Sequence, residues 1–495
     1  MSVSRRGLFK AVGASSLALL LAGMATVLGL LMDVLVAMPA MAWMDLAGLK
    51  IGGEARVRYE SRVGATFGAA AGNLSVPSHR IRLNIGYDLT PKVSFFMQIQ
   101  DARFYGSEAD SANVGGFPTV SSTNRNGTGV DLHQGYLQVK NLAIPGLTLT
   151  LGRQEIFFGD HRLFGNFNWS QTGAAFDGAR LIYARDPATL HLFWARPFDN
   201  EGRTTTSNTG VPFPSSTDRG TQDQDVYGAY LVVKAGTIGT VEPYYFYLKD
   251  SRAPGTTTSI FTAQAASQSR GTLGLRLNGK GGGFDGTAEG AYQFGSISSG
   301  AGAPGDNLAI NADAEAVKLG YTAAWAPMTP RLGLEFDYAS GDGDNASGAH
   351  RGNFNTFDNL YPTNHFHYGH MDLMAWKNMV NYRATLDFKP TPDSKLQFDA
   401  VIHRLANARD HWYRAAQAVY GRSAPTNQAA SLGQEVNVHY WHTLEEQFKI
   451  EIGYGHFFAG EYLDKARAGG TATVNGVTPG GADQDWGYVM GSVSF

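Results

Sequence analysis

Two pairs of arginines stand at alternate positions in two neighbouring segments of the chain. Arg56 and Arg58 lie in EARVRYE, and the second pair, Arg80 and Arg82, lies in RIRLNIGY. A guanidinium group presents a planar fork of donors that matches a carboxylate, and a cluster of such forks raises the local concentration of anions. A spacing of two puts both members of a pair on one face of a strand, so the four side chains are predicted to bind anions together.

Later segments extend this candidate anion site. Arg276 and Arg383 also alternate with apolar residues, and Arg180, which follows an Asp-Gly pair, is predicted to join them. The residues leave an alternative open. In it, each arginine pairs with an acidic side chain of a neighbouring strand and only stabilises the water-facing wall of the barrel. The acidic partners considered for this alternative are Glu335, Asp337, Glu435 and Glu451.

A histidine-rich segment offers a second chemistry. HFHYGH supplies His365, His367 and His370, and Asp372 follows them. Imidazole and carboxylate groups are common ligands of transition metals, so a metal site is chemically possible here. The segment falls in a long connection between predicted strands, and we interpret it as a loop. The sequence therefore predicts neither a metal nor another cofactor.

Calcium binding and catalysis find weaker support. SGDGDN places Asp342, Asp344 and Asn345 in a glycine-rich stretch, but it lacks the closing glutamate of an EF-hand loop. A solvated polar loop is the simpler interpretation.

For an enzyme the chain would need a nucleophile with a positioned base, and no G-x-S-x-G motif occurs. We therefore predict a protein that is not an enzyme.

Short segments of period two must position these side chains. From Leu46 onward the chain shows no convincing helix and no linker, but segments of about ten residues alternate between apolar and polar positions, as membrane barrel strands do. Eighteen strands are predicted, an even number that keeps both ends of a barrel on one side of the membrane. They begin near Leu49, Arg80, Lys92, Val130, Leu147, Phe176, Thr189, Asp225, Thr240, Ser269, Phe284, Asp313, Arg331, Lys377, Lys395, Gly433, Gln447 and Gln484.

The connections between these strands alternate in length. Those after even-numbered strands are short, such as DLTPK at 88–92 and APMTP at 326–330, whereas those after odd-numbered strands are long and rich in Gly, Ser, Thr and Asn. Short periplasmic turns and long extracellular loops give this asymmetry in outer-membrane barrels. A soluble β-propeller would show a repeated blade signature, and none is found. The predicted fold is an all-β, transmembrane antiparallel β-barrel.

The last nine residues, GYVMGSVSF, alternate to the end of the given sequence. An alternating strand with a free edge is prone to aggregate, so strand eighteen is predicted to close the barrel against strand one. The segment resembles the C-terminal strand of bacterial outer-membrane barrels. That resemblance implies that Phe495 is part of an assembly signal read by the barrel-insertion machinery.

Composition and the N-terminus agree with an exported barrel. Mean hydropathy is −0.20, a value also found in soluble proteins. A membrane barrel can have it too, because each strand shows one face to lipid and the other to water. The net charge of −3 gives no attraction to nucleic acid, and cysteine is absent. Arg5, Arg6 and Lys10 precede a long apolar run, so residues 1–42 are predicted to be a signal peptide and 43–495 a single barrel domain. A retained membrane anchor is the alternative.

Two longer segments resemble the alginate-export family of bacterial outer-membrane barrels. They are LGRQEIFFGDHRLFGNFNWSQTGAAFDGARL at 151–181 and FDNLYPTNHFHYGHMDLMAWKN at 357–378. The resemblance implies an outer-membrane channel that passes an anionic polysaccharide or small organic anion, with periplasmic export proteins as possible partners besides membrane lipid. The alternatives are an uptake porin for small nutrients and, after it, an outer-membrane enzyme.

Overall fold

The computed structural model describes most of the chain after its first 47 residues. The described residues are 48–65, 67, 73–105, 129–198, 224–251, 267–298, 307–343, 352–421, 428–469, 479 and 481–495. The predicted signal peptide, Asp344 and Asn345 lie outside them. Lys50–Phe495 form one compact unit.

Eighteen antiparallel strands of the described residues form one closed barrel, which confirms the predicted fold class. They are β1 (Leu49–Val63), β2 (Leu74–Asp88), β3 (Val93–Phe104), β4 (Gly129–Lys140), β5 (Leu147–Gln154), β6 (Phe176–Arg185), β7 (Ala188–Phe198), β8 (Gln224–Ala235), β9 (Gly239–Asp250), β10 (Gln268–Gly281), β11 (Phe284–Ser298), β12 (Asn307–Thr322), β13 (Arg331–Ala339), β14 (Met379–Phe388), β15 (Ser394–Arg404), β16 (Ser431–Leu444), β17 (Phe448–Ala459) and β18 (Gln484–Ser494). Only β2 and β12 begin more than two residues from the predicted position, and both begin earlier.

The barrel closes between its first and last strands. β18 pairs antiparallel with β1, from Glu54 opposite Ser494 to Val63 opposite Asp485. The amide of Gly53 donates to the carbonyl of Phe495 over 2.9 Å, and the amide of Phe495 donates back over 3.1 Å. Closure leaves no sheet edge between these strands, as the alternation of the last segment predicted.

The alternation of side chains separates a polar interior from an apolar exterior. On β1, Arg56 and Arg58 are buried inside the barrel, while Val57 is 55% exposed and Tyr59 is 50% exposed on its outer surface. Such an outward apolar band is the surface that outer-membrane barrels present to lipid. Other exposed apolar residues include Ile81, Leu83, Leu273, Leu275, Leu319, Leu332, Leu334 and Val489.

Short and long connections alternate as predicted, except that the connections after β11 and β12, residues 299–306 and 323–330, are equally long. The turns after β6 and β10 have only two residues between strands, whereas β13 and β14 are separated by residues 340–378. Within that long connection, Asn353–Phe354 add a short parallel strand beside β12. A second short hairpin, Trp412–Tyr413 with Val419–Gly421, lies between β15 and β16. Because periplasmic turns are the short ones in outer-membrane barrels, the ends of the even-numbered strands mark the periplasmic side.

Two of the long connections fold into the barrel. We call residues 155–175, between β5 and β6, inward segment A, and residues 355–378, before β14, inward segment B. The two segments lie side by side, since Gly165 donates to the carbonyl of Tyr361, Tyr361 to that of Leu163, and Thr363 to that of His161, over 2.8–2.9 Å. Most of their aromatic side chains belong to one hydrophobic cluster with inward-facing wall residues, whereas Phe157 and Phe366 are exposed. The histidine-rich segment, predicted as a loop, is therefore buried in the lumen.

The expectation of no helix after Leu46 was wrong at one place. The helix α1 (Glu461–Gly469) follows β17, with Tyr462 and Leu463 buried and an ion pair of 2.8 Å between Lys465 and Glu461 one turn apart. A single helix of nine residues is easily hidden among alternating strands, because it has only two turns in which to show its period. In the described residues no helix has the length and hydrophobicity to span a membrane.

Candidate functional site

The four arginines of β1 and β2 lie together inside the barrel, facing inward segment A. Arg56 donates from Nε to the side chain of Gln171 over 2.8 Å and from Nη2 to the carbonyl of Ser170 over 2.8 Å. Its Nη1 donates to the carbonyl of Asn168 over 2.9 Å. Arg58 donates to the carbonyl of Trp169 over 2.9 Å. The pair on β1 thus binds the backbone of inward segment A.

The pair on β2 contacts the same segment and the wall beside it. Arg80 donates from Nη2 to Glu54 over 2.8 Å, and its Nη1 reaches the carbonyl of Ser170 over 3.1 Å. Arg82 donates from Nε to Gln100 over 2.7 Å and from Nη1 to the side-chain oxygen of Asn168 over 2.9 Å. All four guanidinium groups have protein acceptors, so the cluster anchors inward segment A to β1 and β2.

Glu155, the first residue of inward segment A, completes this contact. Its carboxylate lies 3.0 Å from the ring nitrogen Nε2 of His133 and accepts a hydrogen bond from the side-chain amide of Asn166 over 2.9 Å. Although burial by itself raises the pKa of Glu155, the hydrogen bond with His133 and the charge of Arg82 hold it below its usual value. The carboxylate is therefore ionised at neutral pH and offsets part of the arginine charge.

The other three predicted arginines lie in different places. Arg276 bonds to Asp160 of inward segment A over 2.5 Å and to Glu242 of β9 over 2.9 Å. Arg180 lies with Nη2 3.0 Å from His191 of the neighbouring strand. Arg383 pairs with Asp399 over 2.8 Å. The structure thus brings four of the seven arginines together and distributes the other three, while an anion-binding role stays a prediction for each of them.

One arginine that the sequence analysis missed joins both inward segments to the wall. Arg162 of inward segment A is 1% exposed and pairs with Glu335 over 2.5 Å and Asp337 over 2.8 Å, both on β13. It also donates to the hydroxyl of Tyr368 in inward segment B over 2.7 Å, and its guanidinium lies 5.4 Å from the ring of Trp376. Because Arg162 lies outside any alternating segment, no periodic signal in the sequence indicated its orientation.

The histidines of inward segment B point in different directions. His365 lies 3.0 Å from Asp372 and stacks on Trp169 with ring centroids 3.9 Å apart. His367 bonds to the carbonyl of Asp160 over 2.6 Å, and His370 faces the wall. Burial lowers the pKa of His365 well below its usual value and raises the pKa of Asp372 to about 7. The four residues considered from the sequence do not converge on one point.

A cavity of about 700 Å³ lies in the lumen near the short turns, and we call it the vestibule. Five basic and three acidic residues line it, together with Phe366, His370 and Trp441. The charged residues are Lys318, Arg331, Arg383, Lys395, Lys449, Asp285, Glu335 and Asp387. Most of them stand close to a short turn, so the vestibule opens towards the periplasmic side and carries a basic surplus.

The vestibule cations differ in how firmly they are paired. Arg331 bonds to Asp285 over 2.5 Å, and Lys395 lies 3.2 Å from Asp387 and 5.3 Å from the ring centre of Trp441. The ammonium group of Lys318 has no ion pair or hydrogen bond with another described side chain. Lys318 and Arg331 could have been found in the sequence, because each stands at an inward-facing position of a predicted strand close to a short turn. They were missed because each is a single basic residue and not part of a pair.

Comparison with known proteins places the chain among outer-membrane barrels. The family model described as alginate export matches residues 48–476. Acinetobacter baumannii OccAB2 aligns with a TM-score of 0.54 and 8% identity over 91% of this chain and 98% of that chain. Pseudomonas aeruginosa OpdK, solved with vanillate, aligns with a TM-score of 0.52 and 9% identity over 91% and 99% of the two chains. At these identities the likeness shows the fold. No curated protein matches the sequence significantly.

Proposed function

The chain belongs to the alginate export family of bacterial outer-membrane barrels, and from that premise we propose that it passes an anionic polysaccharide or a small organic anion through its lumen. Its location is the outer membrane, and its architecture is that of a channel of the alginate-export type. The cargo and the direction of transport are the proposed part.

The basic surplus of the vestibule carries the proposal. An anion that enters from the periplasmic side meets Lys318 and Lys395, whose ammonium groups offset the loss of its hydration. Trp441 and Phe366 add apolar ring surface beside these charges, which suits a sugar ring that carries a carboxylate. These charges line one cavity of about 700 Å³, so they act on a passing anion together.

The arginines of β1 and β2 have a different part in the proposal. Arg56, Arg58, Arg80 and Arg82 hold inward segment A, and that segment occupies the lumen beside them. The four arginines therefore affect anion passage by fixing the position of inward segment A. Their positive charge also adds to the attraction of anions into the lumen. Arg180 and Arg276 are proposed to contribute in the same indirect way, through His191 and Asp160, whereas Arg383 is proposed to contribute as one of the cations that line the vestibule.

Uptake of a small organic anion is the second candidate. It is favoured by the solved structures that share the fold, which are outer-membrane porins, one of them solved with the carboxylate vanillate. The same basic vestibule serves an anion that travels in either direction. We propose no catalytic role, since the family and fold are of channel type. Membrane lipid, the insertion machinery and, for a polymer, periplasmic export proteins are the proposed partners.

Single-channel recordings in planar bilayers test this proposal. The wild-type chain is expected to conduct, with a reversal potential in a salt gradient that indicates preference for anions. Replacing Lys318 and Lys395 with Ser should reduce that preference, whereas Lys249→Ser, on the outer surface, should leave it unchanged. Block of the current by uronate oligosaccharides but not by monocarboxylates favours the polysaccharide as cargo. Preference for cations, or no conductance, would exclude the anion channel.

A further inference from the structure

Three side chains from different parts of the chain meet beside the vestibule, which one of them lines. His370 comes from inward segment B, Asp399 from β15 and His439 from β16, and a ligand atom of each lies within 4.8 Å of the other two. All three residues are buried. The His370 ring nitrogen Nε2 is 3.3 Å from Asp399 Oδ2, and the ring centres of the two histidines are 3.8 Å apart.

The group has an unsatisfied ligand atom. His439 Nε2 is buried without a hydrogen-bond partner, while its other nitrogen, Nδ1, lies 3.5 Å from the hydroxyl of Tyr488. A buried polar atom without a partner destabilises the fold and calls for an explanation. A metal ion on Nε2 would satisfy this nitrogen, and Tyr488 would then orient the ring from behind, as outer partners of ligating histidines do.

We propose that His370, Asp399 and His439 bind one divalent transition-metal ion of the zinc type. Two imidazoles and one carboxylate are a common ligand set for such ions, with a fourth position left for water. Ligand atoms about 2.0–2.1 Å from a tetrahedral ion are separated by roughly 3.3 Å, which is the distance between His370 and Asp399. Binding draws the three ligand atoms, which now lie within 4.8 Å of one another, to that separation.

The charge around the group permits a cation. Arg383 donates to Asp399 Oδ1 over 2.8 Å, whereas Oδ2 accepts from Gln397 over 2.8 Å and is the oxygen that lies 3.3 Å from His370. Arg383 also lies 3.9 Å from Glu335, which pairs with Arg162. Arg383 Nη2 also lies 3.2 Å from His370 Nε2, so a bound ion would displace this guanidinium from the ring nitrogen, and the carboxylate of Asp399 would offset part of the ion's charge.

The position of His370 shows how a metal ion could reach the site and what its binding would do. This residue lines the vestibule, so an ion can enter from the short-turn side. Because His370 belongs to inward segment B and the other two ligands to the wall, the ion would tie the segment to β15 and β16. The inference does not depend on the cargo of the channel.

Metal titration of the full-length chain tests the site. The protein is purified in detergent without a polyhistidine tag, stripped with a chelator and titrated with Zn²⁺ by calorimetry. One Zn²⁺ per chain is expected. His439→Gln and His370→Gln should each weaken binding at least about tenfold, because each removes a ligand. His442→Gln is the matched control, since this histidine lies on the same strand with its side chain on the opposite face, and should bind as the wild type does.

X-ray absorption of the zinc-loaded wild type gives a second readout that needs no variant. Two imidazole nitrogens and at least one oxygen in the first shell are expected. Absence of a tight equivalent of Zn²⁺ in the wild type, binding that survives both ligand substitutions, or a shell made of oxygens alone would each overturn the proposal. Heat-modifiable gel mobility confirms that each variant is folded, and the absorption result decides if neither variant folds.

Discussion

Arg162 of inward segment A lies with Nη2 2.5 Å from Glu335 Oε1 on β13, and both side chains are almost fully buried. The same guanidinium reaches Asp337 over 2.8 Å and the hydroxyl of Tyr368 over 2.7 Å. One arginine therefore connects inward segment A, inward segment B and the barrel wall. This contact holds both segments in the lumen together with the bonds from the arginines of β1 and β2.

Arg162→Met should destabilise the protein strongly. The change keeps an apolar side chain of similar length but leaves Asp337 buried without its ion-pair partner and Glu335 without its shortest ion pair, and breaking a buried pair costs about 3–5 kcal/mol in comparable cases. Urea unfolding of the refolded barrel in vesicles, followed by tryptophan fluorescence, measures the loss. Arg409→Met, at an exposed position, is the control and should stay within about 0.5 kcal/mol of the wild type. Equal stability of the two variants would contradict the connecting role of Arg162.

Replacing Arg80 and Arg82 together with Ser should lower anion preference and increase conductance. The change removes two positive charges and also the bonds to Ser170 and Asn168 that hold inward segment A. Assembly should persist, since the lipid-facing residues of β2 are unchanged. Reversal potentials in a salt gradient measure selectivity, and the effect should weaken above ~0.1 M salt, where the Debye length is about 10 Å. Values equal to those of the wild type would show that these arginines are only wall structure.

Epitope insertion tests the orientation of the barrel. An epitope at Gly343, in the long connection after β13, should bind antibody on intact cells, whereas one at Pro392, in the short turn after β14, should not. Permeabilised cells, in which both epitopes should react, provide the control. Labelling of Pro392 alone on intact cells would invert the topology.

Phe495→Asp should prevent insertion while export to the periplasm continues. The residue follows β18, and its backbone bonds to Gly53 of β1 while its ring is 64% exposed towards the lipid side. A charge at this site disfavours the membrane and removes the aromatic of the predicted assembly signal. Heat-modifiable mobility on gels reports folding, and Phe495→Tyr is the conservative control. A variant that folds like the wild type would argue against a role of this position in assembly.

The sequence by itself determined the barrel and its two faces. The alternation of segments such as RIRLNIGY is a local property of the strand, because successive side chains point to opposite faces whatever the partner strand is. Strand number, the lengths of the turns and the inward parity of Arg56 and Arg80 follow from that period, and the structure agrees with them. In β5 the alternation ends at Gln154. For the irregular residues that follow, the sequence therefore does not indicate which side chains point inward.

Only the tertiary structure decided what occupies the lumen. Arg162 meets Glu335 across 173 positions of the chain, and His370 meets His439 on another strand, because barrel closure and the folding of both inward segments set these distances. No local period records such contacts, since they depend on how irregular backbone packs against strands far away in sequence. The arginine pairs show the same division: alternation gave their inward direction, and the fold of residues 168–172 gave them their hydrogen-bond partners.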